Sequence, residues 1–159
     1  MKLDQIDQKI LRHLQENARI TNADLAEKVG LSPTPCLRRL RRLETEGVIK
    51  GYHTEINREA LGVNVTVIIL VKLEREDETT LREFEAAIKK RPEVMECYLV
   101  SGKFDYVLRV VIPTLAAYET FLSETILRMP KVATVESSFT LREVERKVVT
   151  PLPASAFKN

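Results

Sequence analysis

The stretch that most restricts the fold is Asn22–Gly47, NADLAEKVGLSPTPCLRRLRRLETEG. It reads as two short helices that cannot merge into one. Gly30 suits the left-handed conformation that follows a helix C-terminus. Ser32 is an N-cap residue, and Pro33 takes the first helical position, where its missing N–H does no harm. The chain must therefore turn at Gly30-Leu31-Ser32 and start again. Thr21 or Asn22 caps the first of these helices, in which Leu25, Ala26 and Val29 point one way. Gly47 closes the second. Before them, Leu3, Ile6, Ile10 and Leu14 recur at helical spacing, with Asp4 as N-cap and Asp7 completing a capping box. Val48–Ile56 is rich in β-formers around Gly51 and is expected to form a small wing. Three helices, with a tight turn between the last two, make a helix-turn-helix.

The helix from Pro33 decides what that motif is for. With successive residues turning by about 100°, Cys36, Leu40 and Leu43 cluster on one side and Leu37 lies at its edge. Thr34, Arg38 and Arg42 fall opposite, flanked by Pro35 and Arg41, while Arg39 lies nearer the core edge. Ser32–Leu43 contains four arginines and no acid. In a helix-turn-helix the second helix enters the DNA major groove. An arginine fork can hold guanine O6 and N7 together, or a phosphate. Double-stranded DNA is the expected partner, met by Asn22, Ser32, Thr34, Pro35, Arg38, Arg39, Arg41 and Arg42. Arg38 is expected to read bases, and Arg39, Arg41 and Arg42 the backbone. The charge distribution agrees. Net charge is only +2, but residues 1–56 carry ten Lys/Arg against eight Asp/Glu, and residues 57–159 carry fifteen of each.

Several classes of function are set aside. Cys36 and Cys97 are far apart, and no CxxC or Cys/His cluster exists, so neither a disulfide framework nor a metal site is expected. Cys36 reads as a small core residue. No cofactor or catalytic group is expected. The start MKLDQIDQKIL has no signal-peptide character, and the longest apolar run, Val65–Val71 broken by Thr66, is too short to span a bilayer. The expectation is a cytoplasmic protein with no membrane association.

The remainder has a different grammar. Asn64–Leu73 is a strand, Glu78–Lys90 a helix, Val94–Val100 a strand and Tyr106–Ile112 another. A helix starts at Pro113 and stops at Pro130, and Val132–Leu141 is the last strand. This β-α-β-β-α-β order is the split βαβ pattern of ferredoxin-like folds. The fold class is α+β: a winged helix-turn-helix domain over residues 1–60 and a ferredoxin-like βαββαβ domain over residues 61–159. Two helices cover one face of a four-stranded sheet. Val65, Val67, Ile69 and Val71 alternate with Thr66, Ile68 and Leu70, so both faces of the first strand are apolar. The open face is expected to be covered by a second subunit.

LDQIDQKIL, NADLAEKVGLSPTPCLRRLRRLE, GVIKGY and LVSGKFDYVLRV, in this order and spacing, resemble the Lrp/AsnC, or feast/famine, transcriptional regulators across essentially the whole chain. SPTPCLxRLRRLE and SGxFDY are the specific parts. The resemblance implies a DNA-binding regulator whose second domain pairs subunits through its sheets. Dimers often assemble into rings, commonly octamers, and amino acids or related metabolites bind between dimers. It also implies an effector site at the turn between the second and third strands, here Val100, Ser101, Gly102, Lys103, Phe104, Asp105 and Tyr106. Ser137, Ser138 and Thr140 of the last strand would join it from a neighbouring dimer. Gly102 lets backbone N–H groups approach a carboxylate, and Asp105 is expected to receive an ammonium group. The same residues are also ordinary turn formers.

Two rival readings stand beside this one. Some proteins similar to this family decarboxylate siroheme-type tetrapyrroles with pocket histidines; here the histidines are His13 and His53, neither in the expected pocket. The other rival is a pure assembly or ligand-storage module, against which the arginine face argues.

Overall fold

The computed structural model describes residues 2–129 and 131–158; the expected helix stop at Pro130 lies outside the described residues. In chain order the elements are β1 (Leu3–Asp4), α1 (Gln5–Glu16), α2 (Asn22–Val29), α3 (Pro33–Thr45), β2 (Val65–Leu73), α4 (Glu78–Ile88), β3 (Val94–Leu99), β4 (Tyr106–Ile112), α5 (Leu115–Phe121), β5 (Val132–Phe139) and β6 (Phe157–Lys158). They form two compact units. One runs from the start of the chain to Glu55 and takes in the tail from Glu145 onward; the other is Ile56–Val144.

The first unit is the three-helix arrangement. Asp4 caps α1: its carboxylate accepts the N–H groups of Ile6 and Asp7, both at 2.9 Å, while the Asp7 carboxylate accepts the Asp4 N–H at 3.1 Å. Of the two candidate caps of α2 it is Thr21 that serves, accepting the Asp24 N–H at 3.2 Å. Gly30 ends α2 at φ 74°, the left-handed conformation that glycine adopts without steric cost. Ile10, Leu14, Leu25, Ala26, Val29, Cys36 and Leu43 form the buried core.

Two features of this unit differ from expectation. Val48–Ile56 contains no strand. It is pinned to the end of α3 instead, with Tyr52 donating its hydroxyl hydrogen to Glu44 Oε1 at 2.8 Å. Burial and the neighbouring Glu44 carboxylate push the Tyr52 phenol up to about 12. The residues from Glu145 were expected within the second domain, yet they pack in this unit. β6 pairs in parallel with β1 through Leu3 opposite Phe157. Leu152 and Phe157 lie against the helical core, and Gln15 exchanges hydrogen bonds with the backbone of Thr150. Two-residue strands give little pairing energy, so apolar burial of Leu152 and Phe157 is what favours docking of the tail.

The second unit is an antiparallel sheet in the order β3-β4-β2-β5. Its strands pair antiparallel throughout, with Ile69 opposite Leu108 on one side and Ser137 on the other. Val67, Ile69, Val71, Tyr106, Leu108 and Val110 pack with Phe84 and Ile88 of α4 and Tyr118 and Phe121 of α5. The alternate residues Ile68 and Leu70 stay half-buried on the opposite face. The last helix begins at Leu115, two residues later than the expected start at Pro113. Thr114 is its N-cap, accepting the Ala117 N–H at 3.1 Å. A π-helical turn, Leu122–Ile126, extends α5.

Candidate nucleic-acid interface and effector cleft

The four arginines of α3 separate into two pairs. Arg38 and Arg41 are exposed and, among the described residues, have no acidic partner. Arg39 and Arg42 turn toward the start of α1. Arg39 Nη1 donates to Asp4 Oδ2 at 2.6 Å and to Asp7 Oδ1 at 3.0 Å. Arg42 Nη2 donates to Asp7 Oδ2 at 2.6 Å. Asp7 is fully buried. A carboxylate taken out of water needs paired charge and hydrogen bonds on its oxygens, and two guanidinium groups and a backbone N–H supply them. Burial alone would push the Asp4 carboxyl up. The Asp7 N–H and the Arg39 guanidinium outweigh that and hold it below the usual carboxylate value.

This corrects the expected outward face. Arg42 does not stand with Arg38; Arg41 does. The helical wheel placed Arg42 opposite the core because it considered α3 alone, whereas the Arg42 side chain is long enough to reach around to α1. A signal for this lay in α1. Asp7, Ile10 and Leu14 fall at helical spacing, so Asp7 occupies a position in an apolar stripe, where a charge has to be matched.

The start of α3 also differs in detail. Ser32 stands at the N-cap position, but its side chain makes no capping hydrogen bond. The sequence explains this: one of the two usual capping donors is the third helical residue, which is Pro35 and has no N–H. The Ser32 hydroxyl and the exposed Thr34 are left facing outward beside the half-buried Pro35. Asn22 donates from Nδ2 to the Pro33 carbonyl at 2.9 Å, and its Oδ1 is buried without a hydrogen-bond partner. It therefore ties the start of α2 to the start of α3.

In the second unit, the turn between β3 and β4 closes with the Val100 N–H donating to the Asp105 carbonyl at 2.8 Å. Gly102 has φ 127°, a conformation strained for any residue with a side chain. Among the described residues, the N–H groups of Ser101, Gly102 and Lys103 make no backbone hydrogen bond. Lys103 reaches Glu136 Oε1 at 2.9 Å and lies 4.8 Å from the centre of the Phe104 ring. A cleft of about 430 Å³ borders the turn, lined by Glu76, Leu81, Leu99, Val100, Ser101 and Asp105.

Asp105 is not available in the expected way. It is buried, and its Oδ2 accepts the Leu73 N–H at 2.7 Å while its Oδ1 accepts from Lys72 Nζ at 2.8 Å. β2 pairs with β4 only as far as Val71 opposite Tyr106, so the Leu73 N–H lies beyond that ladder and goes to the Asp105 carboxylate. Burial acts to raise the Asp105 carboxyl, but the Leu73 N–H and Lys72 prevail and hold it below the usual range. Burial and the nearby Glu85 push the Tyr106 phenol upward; its hydroxyl donates to Glu85 Oε1 at 3.1 Å.

The three expected polar residues of the last strand do not share a face. Ser137 accepts a hydrogen bond from the Tyr118 hydroxyl and lies on the helix-covered side. Ser138, paired with Ile68, lies on the open side. Thr140 follows the strand, its N–H donating to the Thr66 carbonyl at 2.9 Å. Glu76, Leu81 and Leu99 were not anticipated as cleft residues, because they come from three separate segments that only the tertiary fold brings together.

Comparison with known proteins bears on both units. Residues 66–149 match the family described as "Lrp/AsnC ligand binding domain", and residues 3–50 match "Winged helix-turn-helix DNA-binding". The chain belongs to the Lrp/AsnC family. Its Lrp/AsnC relatives include the leucine-responsive regulatory protein of Salmonella typhimurium, 43% identical over 144 residues, covering 91% of this chain and 88% of that protein. The protein of that name from Escherichia coli K12 is 42% identical over the same shares of each chain. Among solved structures, a transcriptional regulator of Neisseria meningitidis in complex with L-Met is 37% identical, with TM-score 0.89 over 94% of this chain and 97% of that one. An AsnC family transcriptional regulator from Agrobacterium tumefaciens, also 37% identical, has TM-score 0.88 over 96% and 98%. Within the Lrp/AsnC fold the first unit is thus a winged helix-turn-helix by family, although Val48–Ile56 carries no strand here. These relatives are named as regulators and give the decarboxylase reading no support. Both histidines, His13 on α1 and His53 in the segment after α3, belong to the first unit.

Proposed function

We propose that this Lrp/AsnC protein is a cytoplasmic, sequence-specific DNA-binding transcription regulator whose DNA binding or assembly responds to an amino acid. The observation that carries the reading is the exposed face of the acid-free stretch Ser32–Leu43, where Arg38 and Arg41 stand with Ser32 and Thr34. Helix N-terminal residues of such a motif meet base edges, and hydroxyls and arginines also take phosphate. Arg39, Arg42 and Asn22 support that surface from behind. No helix among the described residues is long and apolar enough to cross a membrane.

The effector is proposed to bind at Val100–Tyr106. The N–H groups of Ser101, Gly102 and Lys103 suit a carboxylate. Leu81, Leu99 and Val100 offer an apolar wall to a side chain, and the exposed Glu76, which also pairs through Oε1 with Lys72 at 2.6 Å, is the acid that would meet an ammonium group. Asp105 braces the turn instead of receiving the ammonium. A leucine-responsive relative and an L-Met-bound relative support an amino acid as the ligand class. Ser138 and Thr140 would contribute from a neighbouring copy. The half-buried Ile68 and Leu70 on the open sheet face support pairing with a second copy, and dimers of this kind would build an octamer or similar ring.

The test has two arms. Genomic fragments selected on the purified protein give a target duplex. Arg38→Gln and Arg41→Gln are each expected to weaken binding to it about tenfold or more, consistent with 1–3 kcal/mol for a good arginine contact. Undiminished specific binding by both variants would overturn the assignment of α3. In the second arm, a thermal-shift panel of amino acids should contain at least one that raises the melting temperature, because a ligand of the native state stabilises it. That shift should vanish in Gly102→Val.

A further inference from the structure

The four charges at the junction of α1 and α3 cancel: Asp4 and Asp7 against Arg39 and Arg42. The guanidinium of Arg39 is divided between both aspartates, and Arg42 is held by one. Arg42 Nε is buried with no hydrogen-bond partner, so the stem of this side chain lies against the protein while 40% of the side chain stays exposed. The same two aspartates also form the capping box of α1. One device thus begins α1, docks α3 on it and occupies half of the arginines on α3.

Arginines that reach phosphates add affinity without regard to sequence. A helix carrying four unpaired arginines would hold any duplex tightly and gain little discrimination between sequences. We propose that Asp7, assisted by Asp4, is a specificity-determining residue. It withholds Arg39 and Arg42 from DNA phosphates, so that of the four arginines only Arg38 and Arg41 meet the duplex. Paired with Asp4 and Asp7, Arg39 and Arg42 offer a phosphate little net charge through their remaining N–H groups, and drawing either fully out to the duplex would leave the buried Asp7 less well matched. The proposal rests on α3 being the DNA-reading helix.

A purely structural clamp and a masking clamp predict different salt dependences. The measurement is fluorescence anisotropy of the full chain on a duplex of random sequence, across a range of salt concentrations. Each phosphate contact contributes about 0.9 to the slope of log K against log salt. Asp7→Asn keeps the size and an acceptor for the Asp4 N–H but removes the charge. It is expected to tighten random-sequence binding and steepen the slope by about 1–2, while the ratio of specific to random-sequence affinity falls. A folded Asp7→Asn protein with an unchanged or shallower slope would overturn the proposal. If Asp7→Asn does not fold, Arg39→Gln and Arg42→Gln decide it. Each should leave the slope unchanged, and a slope shallower by about 1 for either would show that these arginines already contact phosphate. Failure of the underlying reading is separately visible, because then Arg38→Gln and Arg41→Gln would leave specific binding intact.

Discussion

Asp7 in the first unit and Asp105 in the second are both buried carboxylates, yet they are held by different kinds of partner. Asp7 lies between two helices and is matched by two guanidinium groups. Asp105 lies at the end of a sheet and is matched by one backbone N–H and the partly exposed Lys72. The difference follows from what surrounds them. The helical unit has a thin core, and α3 must be fixed in rotation as well as position for its outer residues to point the right way. Directional, charged hydrogen bonds can do that where a few leucines cannot. In the second unit the strand ladders already fix every register, and apolar packing of both helices supplies the cohesion. There Asp105 only takes up the Leu73 N–H left beyond the end of the β2–β4 ladder.

The sharpest way to break this comparison is to delete each partner in turn. Asp7→Ala removes the carboxylate partner of Arg42, one of the two carboxylates on Arg39 and the acceptor of the Asp4 N–H, and should cost about 3 kcal/mol. Chemical denaturation with Arg39 and Arg42 intact measures it, and the loss should fall on the helical unit. In the second unit an apolar deletion should matter most. Leu108→Ala, at a fully buried position of the central strand β4, is expected to cost about 2–5 kcal/mol in the same assay.

The smallest of these effects belongs to Asp105. Asp105→Asn keeps an acceptor for Leu73 and loses the charge toward Lys72, so about 1 kcal/mol is expected at neutral pH. Its sign with pH is fixed. The folded carboxyl lies below its ordinary value of 3.8, so its stabilisation is present above that value and fades as pH falls through the lowered folded value. Acid titration of stability should therefore bring Asp105→Asn and the native protein together at low pH and separate them above it. A gap that widened on acidification would contradict the assignment.

Much of this was legible in the chain itself, for identifiable reasons. Caps and breakers act locally, so Asp4 with Asp7 and Gly30 could be placed from neighbouring residues alone, and the cap of α2 narrowed to Thr21 or Asn22. Alternation is equally local, which is why the apolar strand around Ile69 and the turn at Gly102 were visible. What escaped was decided by contacts between distant segments. The choice of Arg42 over Arg41 as a partner of Asp7 depends on how α3 crosses α1. The docking of the tail depends on Leu152 and Phe157 finding a core laid down by the first forty-odd residues, and PLPASAF has no periodicity to announce it. The engagement of Asp105 depends on where the β2–β4 ladder ends, which no residue type encodes. In the wing segment, β-propensity in Val48–Ile56 lost to the absence of a partner strand, since a strand exists only where a neighbour completes its ladder.

On the proposed division, α3 gives two arginines to DNA and two to the fold. The most direct measurement is one salt titration of random-sequence duplex binding with two paired variants, Arg38→Gln/Arg41→Gln and Arg39→Gln/Arg42→Gln. The first should lower the salt slope by about 2 with stability unchanged, and the second should keep the native slope while melting at a lower temperature. Equal losses of slope in the two paired variants would contradict the division.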